Sequence, residues 1–146
     1  MARNDFKAFE KKAKAYIRTI PKLIGKFAVL EASNNFRNQG HENESGALEP
    51  WAPRKRADRA RRRPRGGGGP GIAGRAILVK SGRLRRSVRV VSTTATSVTV
   101  GTDVPYAQGL QEGRGNMPAR PFITVGPTTR GKITRKVATD LTTLLG

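Results

Sequence analysis

Apolar residues recur at helical spacing through the first forty positions. Phe6, Phe9, Ala13, Tyr16, Ile17 and Ile20 fall on one side, lysines occupy the other, and the pattern resumes with Leu23, Ile24, Phe27, Ala28, Leu30 and Phe36. This spacing predicts a helix over 4–37, with Asn4 or Asp5 at its N-cap. Asn38-Gln39-Gly40 ends it, Gly40 being the expected C-cap. Pro21 removes a backbone donor, so the helix is expected to kink or split near Thr19-Ile20. Core packing explains the stripe; a surface-active amphipathic helix is the competing reading.

The period then shortens. Ala76-Ile77-Leu78-Val79-Lys80 is an apolar run broken by Ser81-Gly82, and Ser81 can cap one helical turn through Leu84-Arg85-Arg86. Residues 87–92 and 97–101 alternate and are rich in valine, which predicts a β-hairpin with Val88, Val90, Val98 and Val100 on one face. Asp103-Val104-Pro105 opens another helical turn, with Tyr106, Ala107 and Leu110 expected to point inward. Gly113-Arg114-Gly115-Asn116 is a turn, and 118–125 is extended, a strand being expected from Phe122 onward. Pro127-Thr128 starts a last helix whose stripe is Ile133, Val137, Leu141, Leu144 and Leu145. The whole is an α+β domain: a small antiparallel β-sheet packed against a long N-terminal helix and a C-terminal helix. At 146 residues the chain is expected to form one domain, 1–146.

Charge complicates that picture. Lysine and arginine number 29 against 10 acids, a formal net charge of +19, which calls for an acidic partner. Fourteen basic residues fall between Arg54 and Arg89, where the one acid is Asp58. Upstream, Glu42, Glu44 and Glu49 form a small acidic patch. At the centre of the basic block four glycines, Gly66 to Gly69, lie between Pro64 and Pro70, where backbone entropy and repulsion oppose regular structure. Residues 52–75 are therefore expected to be a long, flexible Arg/Gly-rich loop, either a solvated insertion or a segment that orders on an acidic surface or nucleic acid. Arg54, Lys55, Arg56, Arg59, Arg61, Arg62, Arg63 and Arg65 are its candidate contacts to a partner or DNA. With no aromatic residue in 54–75, contact to nucleic acid from this loop would be to phosphate, sequence-blind and steeply salt-dependent. Trp51, held between Pro50 and Pro53, is expected to pin the start of the loop to the core.

Catalytic chemistry finds no purchase. There is no cysteine, and the single histidine lies in a polar stretch with no motif around any serine. His41 with Glu42 and Glu44 reads as a polar turn more readily than as a metal site. Residues 66–74 are not followed by the Gly-Lys-Ser/Thr of a phosphate-binding loop. No enzyme activity, metal or cofactor is expected. No apolar run is long enough to span a membrane, and the first residues lack a signal-peptide core, so a soluble protein made and used inside a cell is expected.

Four short motifs, in order, carry a resemblance. Ser81-Gly82-Arg83-Leu84-Arg85-Arg86-Ser87-Val88, Val100-Gly101-Thr102-Asp103-Val104-Pro105-Tyr106-Ala107 and Pro118-Ala119-Arg120-Pro121-Phe122 resemble motifs of phage tail-completion proteins. Trp51-Ala52-Pro53, followed by basic residues, is similar to the tryptophan-proline signature of the Mu-like virion-morphogenesis branch. The likeness covers about two-thirds of the chain and omits the Arg/Gly insertion. It implies a structural protein of a long-tailed phage, related to tail terminators. Such a protein completes or terminates the tail and joins it to the head-proximal neck as an oligomeric, often hexameric, ring. The implied partners are copies of itself, the tail tube protein and connector or neck proteins, with contact to phage DNA if the basic loop faces the lumen. The implied place is the tail-neck region of the virion, after assembly in the host cytoplasm. The motif residues Trp51, Gly82, Leu84, Ser87, Gly101, Pro105, Tyr106, Ala107, Pro118, Arg120, Pro121 and Phe122 are expected to be mainly structural, with Gly82 and Gly101 in tight turns. Residues 111–118, like 52–75, are expected to order on docking. The alternative is a sequence-nonspecific basic nucleic-acid-binding protein, which the loop favours and the other motifs do not require.

Deleting residues 61–71 should leave cooperative unfolding intact, because that stretch supplies little core. Loss of a cooperative thermal transition in the deletion variant would show that it packs.

Overall fold

The computed structural model describes residues 3–53, 76–79 and 81–145. Along the chain run α1 (Arg3–Ile17), α2 (Ile20–Asn38), β1 (Gly40–Glu42), β2 (Leu48–Pro50), α3 (Arg83–Ser87), β3 (Arg89–Thr93), β4 (Val98–Gly101), α4 (Ala107–Glu112) and α5 (Pro127–Leu145). The α+β class is as expected, but the strands form two separate antiparallel pairs, β1-β2 and β3-β4.

The long first helix splits where Pro21 requires. Pro21 occupies the first turn of α2, where a missing N–H leaves no helical bond unmade. Thr19 keeps right-handed helical dihedrals at the junction, and its hydroxyl donates to the Tyr16 carbonyl at 2.7 Å. Two capping expectations fail. The first helix already runs from Arg3, so Asn4 and Asp5 lie inside its first turn. At the other end the left-handed residue is Gln39 (φ 56°), not Gly40. Gly40 is instead the first residue of β1, where a Cβ would collide with the Glu49 carbonyl on β2. The β1-β2 hairpin itself, with His41 opposite Glu49, replaces the expected polar turn.

The buried cluster is Ala32, Phe36, Trp51, Leu84, Val88, Val104, Ala107 and Phe122, with Ile77, Leu78, Val79, Val100, Leu110 and Ile123 packed around it. Phe36 meets Trp51 edge-on at 5.7 Å between ring centroids and Phe122 at 5.4 Å. The β3-β4 hairpin lies against α2 through Val90 and Val98. Their methyl groups come within 2.8 Å and 2.7 Å of the place a Cβ on Gly25 would take. Glycine at that point sets the spacing of hairpin and helix. A register irregularity between Val90 and Ser92 turns Val91 outward, 61% exposed. Gly82 takes φ 69° at the start of α3, whereas Gly101 ends β4 beside Val91 and lies in no tight turn. Ser81 Oγ accepts from the Arg83 N–H at 3.3 Å, one residue before the turn it was expected to cap.

The last helix closes the fold. Its first turn is capped by Glu42, whose carboxylate accepts from the Thr128 N–H at 3.0 Å and from the Thr128 hydroxyl. Thr129 donates to Glu31 at 2.6 Å, and Tyr16 donates to Asp140 at 2.8 Å. The Asp140 carboxyl is held below the ordinary carboxylate range by its bond from Lys136 and then by that from Tyr16. The Tyr16 phenol is raised by burial first and by Asp140 second. The apolar stripe of α5 is present, but Ile133, Val137, Leu141 and Leu144 are all half-buried, while Phe6 and Ile17 on α1 are 60% and 52% exposed. The dense packing therefore lies under α2, α3 and α4.

Leu84 is 2% exposed, so Leu84→Ala should cost about 2 to 5 kcal/mol. Denaturant unfolding measures this directly, and a change below about 0.5 kcal/mol would place Leu84 outside the core.

Candidate functional site

The four motif segments converge on one platform. Trp51 is buried, and its Nε1–H donates to the Pro121 carbonyl at 2.8 Å, which ties the first motif to the last. Arg120, 7% exposed, turns back along the same path. Its Nε donates to the Ala52 carbonyl at 3.0 Å and its Nη2 to the Pro53 carbonyl at 3.5 Å. A buried guanidinium has a large desolvation cost, and charge-assisted bonds to carbonyls offset part of it. Ser87 Oγ donates to the Leu84 carbonyl at 2.8 Å and also bonds the Thr102 hydroxyl, linking α3 to the end of β4. Thr102 Oγ1 in turn accepts from the Val104 N–H at 3.2 Å.

No strand forms at 122–125, contrary to expectation, because a side chain takes the place of a neighbouring strand. Gln111 Oε1 accepts from the N–H groups of Phe122 (2.9 Å) and Ile123 (3.1 Å), and Gln111 Nε2 donates to the Ile123 carbonyl at 3.1 Å. From the other side Asn35 Nδ2 donates to the Phe122 carbonyl at 3.2 Å and to Thr124 Oγ1 at 2.9 Å. The Arg120 N–H donates to the Leu110 carbonyl at 2.7 Å. Residues 111–118 have a defined form: α4 ends at Glu112, and Arg114 and Met117 exchange backbone bonds across a tight turn.

The outer side of this platform carries the accessible surface. Tyr106 was expected to point inward; it stands at the head of α4, 52% exposed, beside exposed Pro105. A helical turn has an inner and an outer side, and Val104 and Ala107 take the inner one. Two open grooves flank α4. One, about 520 Å³, runs between α4 and the 101–105 and 122–123 segments; the other, about 560 Å³, lies between α4 and the 113–117 turn. Pro105, Gln108 and Glu112 border both. Asp103 stands 3.7 Å from Arg89 at the rim of the first.

Of the motif residues, Trp51, Gly82, Leu84, Ala107, Arg120 and Phe122 are buried, and Ser87, Gly101, Pro118 and Pro121 are half-buried. Pro105 and Tyr106 alone among them are exposed. The candidate contacts Arg54, Lys55, Arg56, Arg59, Arg61, Arg62, Arg63 and Arg65, and the rest of the expected flexible loop 52–75 beyond Pro53, lie outside the described residues; Ala52 and Pro53 are held by Arg120. Among the described residues no three His, Cys, Asp or Glu side chains come together as a metal site, and Glu42 is engaged as a helix cap. No helix among them is long and apolar enough to cross a membrane. Sequence reasoning passed over Gln111 and Asn35, and read Glu42 as part of an acidic patch and polar turn where it is a helix cap. Only Asn35 left a signal, an amide on the buried face of α2 between Ala32 and Phe36.

Gln111→Ala should strip partners from two backbone donors and destabilise the fold by about 1 to 3 kcal/mol. Hydrogen exchange should speed at the Phe122 and Ile123 amides before it does in β3-β4. Unchanged protection there would show that Gln111 does not hold the segment.

The model of the phage virion morphogenesis family matches residues 5–142, nearly the whole chain and more than the four motifs cover. No curated protein and no solved structure matches it.

Proposed function

The chain belongs to the phage virion morphogenesis family, with a structural role in building a phage particle, and from that premise we propose that it completes the tail. On this reading copies of it close the head-proximal end of the tail as a ring, one face meeting the tail tube and the other the connector or neck proteins. Its place is the tail-neck region of the virion, reached by assembly in the host cytoplasm. The mechanism is geometric: a subunit with a preformed docking face adds to its neighbours with little reordering.

The observation that supports this best is Tyr106. It belongs to a motif whose other residues are largely spent on the core, yet it is exposed at the edge of the groove between α4 and the 113–117 turn, on a platform braced by Gln111 and Arg120. Exposed aromatic side chains on a rigid support are the usual anchors of protein interfaces. An adequate ring contact buries about 1,200 Å² or more, and the surface around α4 with its two grooves offers a place for one.

Light scattering of the purified protein should give a closed oligomer, and Tyr106→Ala should shift it towards monomer with the fold, read by circular dichroism, unchanged. Particles made without the protein should show tails of uncontrolled length or unjoined heads. An unchanged oligomer in Tyr106→Ala would remove Tyr106 from the interface. Absence of the protein from purified virions would overturn the tail reading itself.

A further inference from the structure

The positive charge has a second seat that the Arg/Gly segment conceals. Residues 54–75 hold nine basic side chains and one acid, so +8 of the +19 lies there and +11 lies elsewhere. Residues 3–38 alone hold nine basic side chains against three acids. Their arrangement is regular. Lys7, Lys11, Lys14 and Arg18 are spaced four, three and four residues apart, which places them on one line along α1 and its end. Lys22 follows four residues later and Lys26 four after that, along an exposed flank of α2 beside its buried residues Gly25, Ala28 and Ala32. All six are exposed. Among the described residues only Lys14 of the six has an ion-pair partner, Glu10.

We propose that this ridge, Lys7-Lys11-Lys14-Arg18-Lys22-Lys26, binds the phosphate backbone of double-stranded DNA. The Lys7 to Arg18 stretch alone spans about 16 Å of helix, long enough to meet several phosphates of one strand. The line of the ridge from Lys7 to Lys26 holds no apolar side chain: Phe9 and Tyr16 lie on the opposite side of α1, and the exposed Phe6, Ile17 and Leu30 flank the line or lie past its end. A protein partner would need an apolar centre here, since protein interfaces are depleted of charge at their cores. Without an aromatic platform the ridge cannot stack bases, which favours duplex over single strands. Five of the six residues are lysines, point charges without the bidentate fork that reads guanine, so recognition is sequence-blind. The ridge lies on α1, α2 and the turn between them and does not depend on 54–75 or on the chain's place in a particle.

The test is fluorescence anisotropy of the full chain with a random 30-base-pair duplex across a salt series. Each phosphate contact contributes about −0.9 to the slope of log K against log salt. Replacing four residues, Lys7→Gln, Lys11→Gln, Arg18→Gln and Lys22→Gln, should reduce the slope by roughly 3 to 4 and weaken binding on the order of a hundredfold at 100 mM salt. Glutamine keeps helix propensity at these exposed sites, so circular dichroism should be unchanged. Lys7→Arg, Lys11→Arg and Lys22→Arg together should retain binding. A four-glutamine variant with the parent's slope, or a parent chain that does not bind the duplex, overturns the proposal. So does a slope lost only on deleting 61–71. Loss of an acidic protein partner with DNA binding intact would assign the ridge to that partner instead. None of these results bears on the Tyr106 oligomer test.

Discussion

The indole of Trp51 holds the fold together because it must satisfy two demands in one place. Its ring needs apolar cover, supplied by Phe36 and the cluster around Phe122, and its N–H needs an acceptor, supplied by the Pro121 carbonyl. Meeting both draws α2, the 51–53 segment and the 118–122 segment to a common point. Leu84 and Val104 then fill the remaining space, so α3 and the end of β4 are fixed by packing and not by a continuous sheet. A buried cluster this small, eight side chains among the described residues, leaves little tolerance for a poor fit.

The polar groups follow the same economy. Buried backbone donors and acceptors must find partners, and the strands here are only three to five residues long. Side chains take over where ladders stop. Gln111 and Asn35 clamp 122–124, Arg120 gathers the carbonyls of 52 and 53, and Glu42 closes the start of α5. Each contact spans a long sequence separation except that of Gln111. The surface above them inherits their rigidity, and Tyr106 is thereby a presented group on a fixed support.

Periodic segments were legible in the sequence. The split at Pro21, the valine hairpin, the buried Leu84 and Trp51, and the last helix all follow from spacing and local stereochemistry. The misses share one cause: their pairing partner was a side chain or a distant residue. Phe122 to Val125 has strand-like composition, yet its partner is an amide on α4. Gly40 looked like a helix cap because the approach of Glu49 cannot be seen from its neighbours. Tyr106 followed the apolar count of its motif, and only the packing of Val104 and Ala107 shows which side of the turn was already full. For the candidate site, the motifs marked the right segments, while the groups that brace it were nearly silent.

The attachment of α5 bears on the order in which the molecule can be made. Its three polar links run back to Tyr16, Glu31 and Glu42, all in the first third of the chain. During synthesis α1 and α2 emerge early, and the helix that covers them emerges only after every segment of the Trp51 cluster has been made. Until then Tyr16 and Glu31 have no α5 partner, and the apolar side of α1 stands uncovered. The nineteen-residue helix α5 thus acts as a latch: a chain cut before it keeps the segments of the Trp51 cluster but leaves the half-buried side of α1 uncovered.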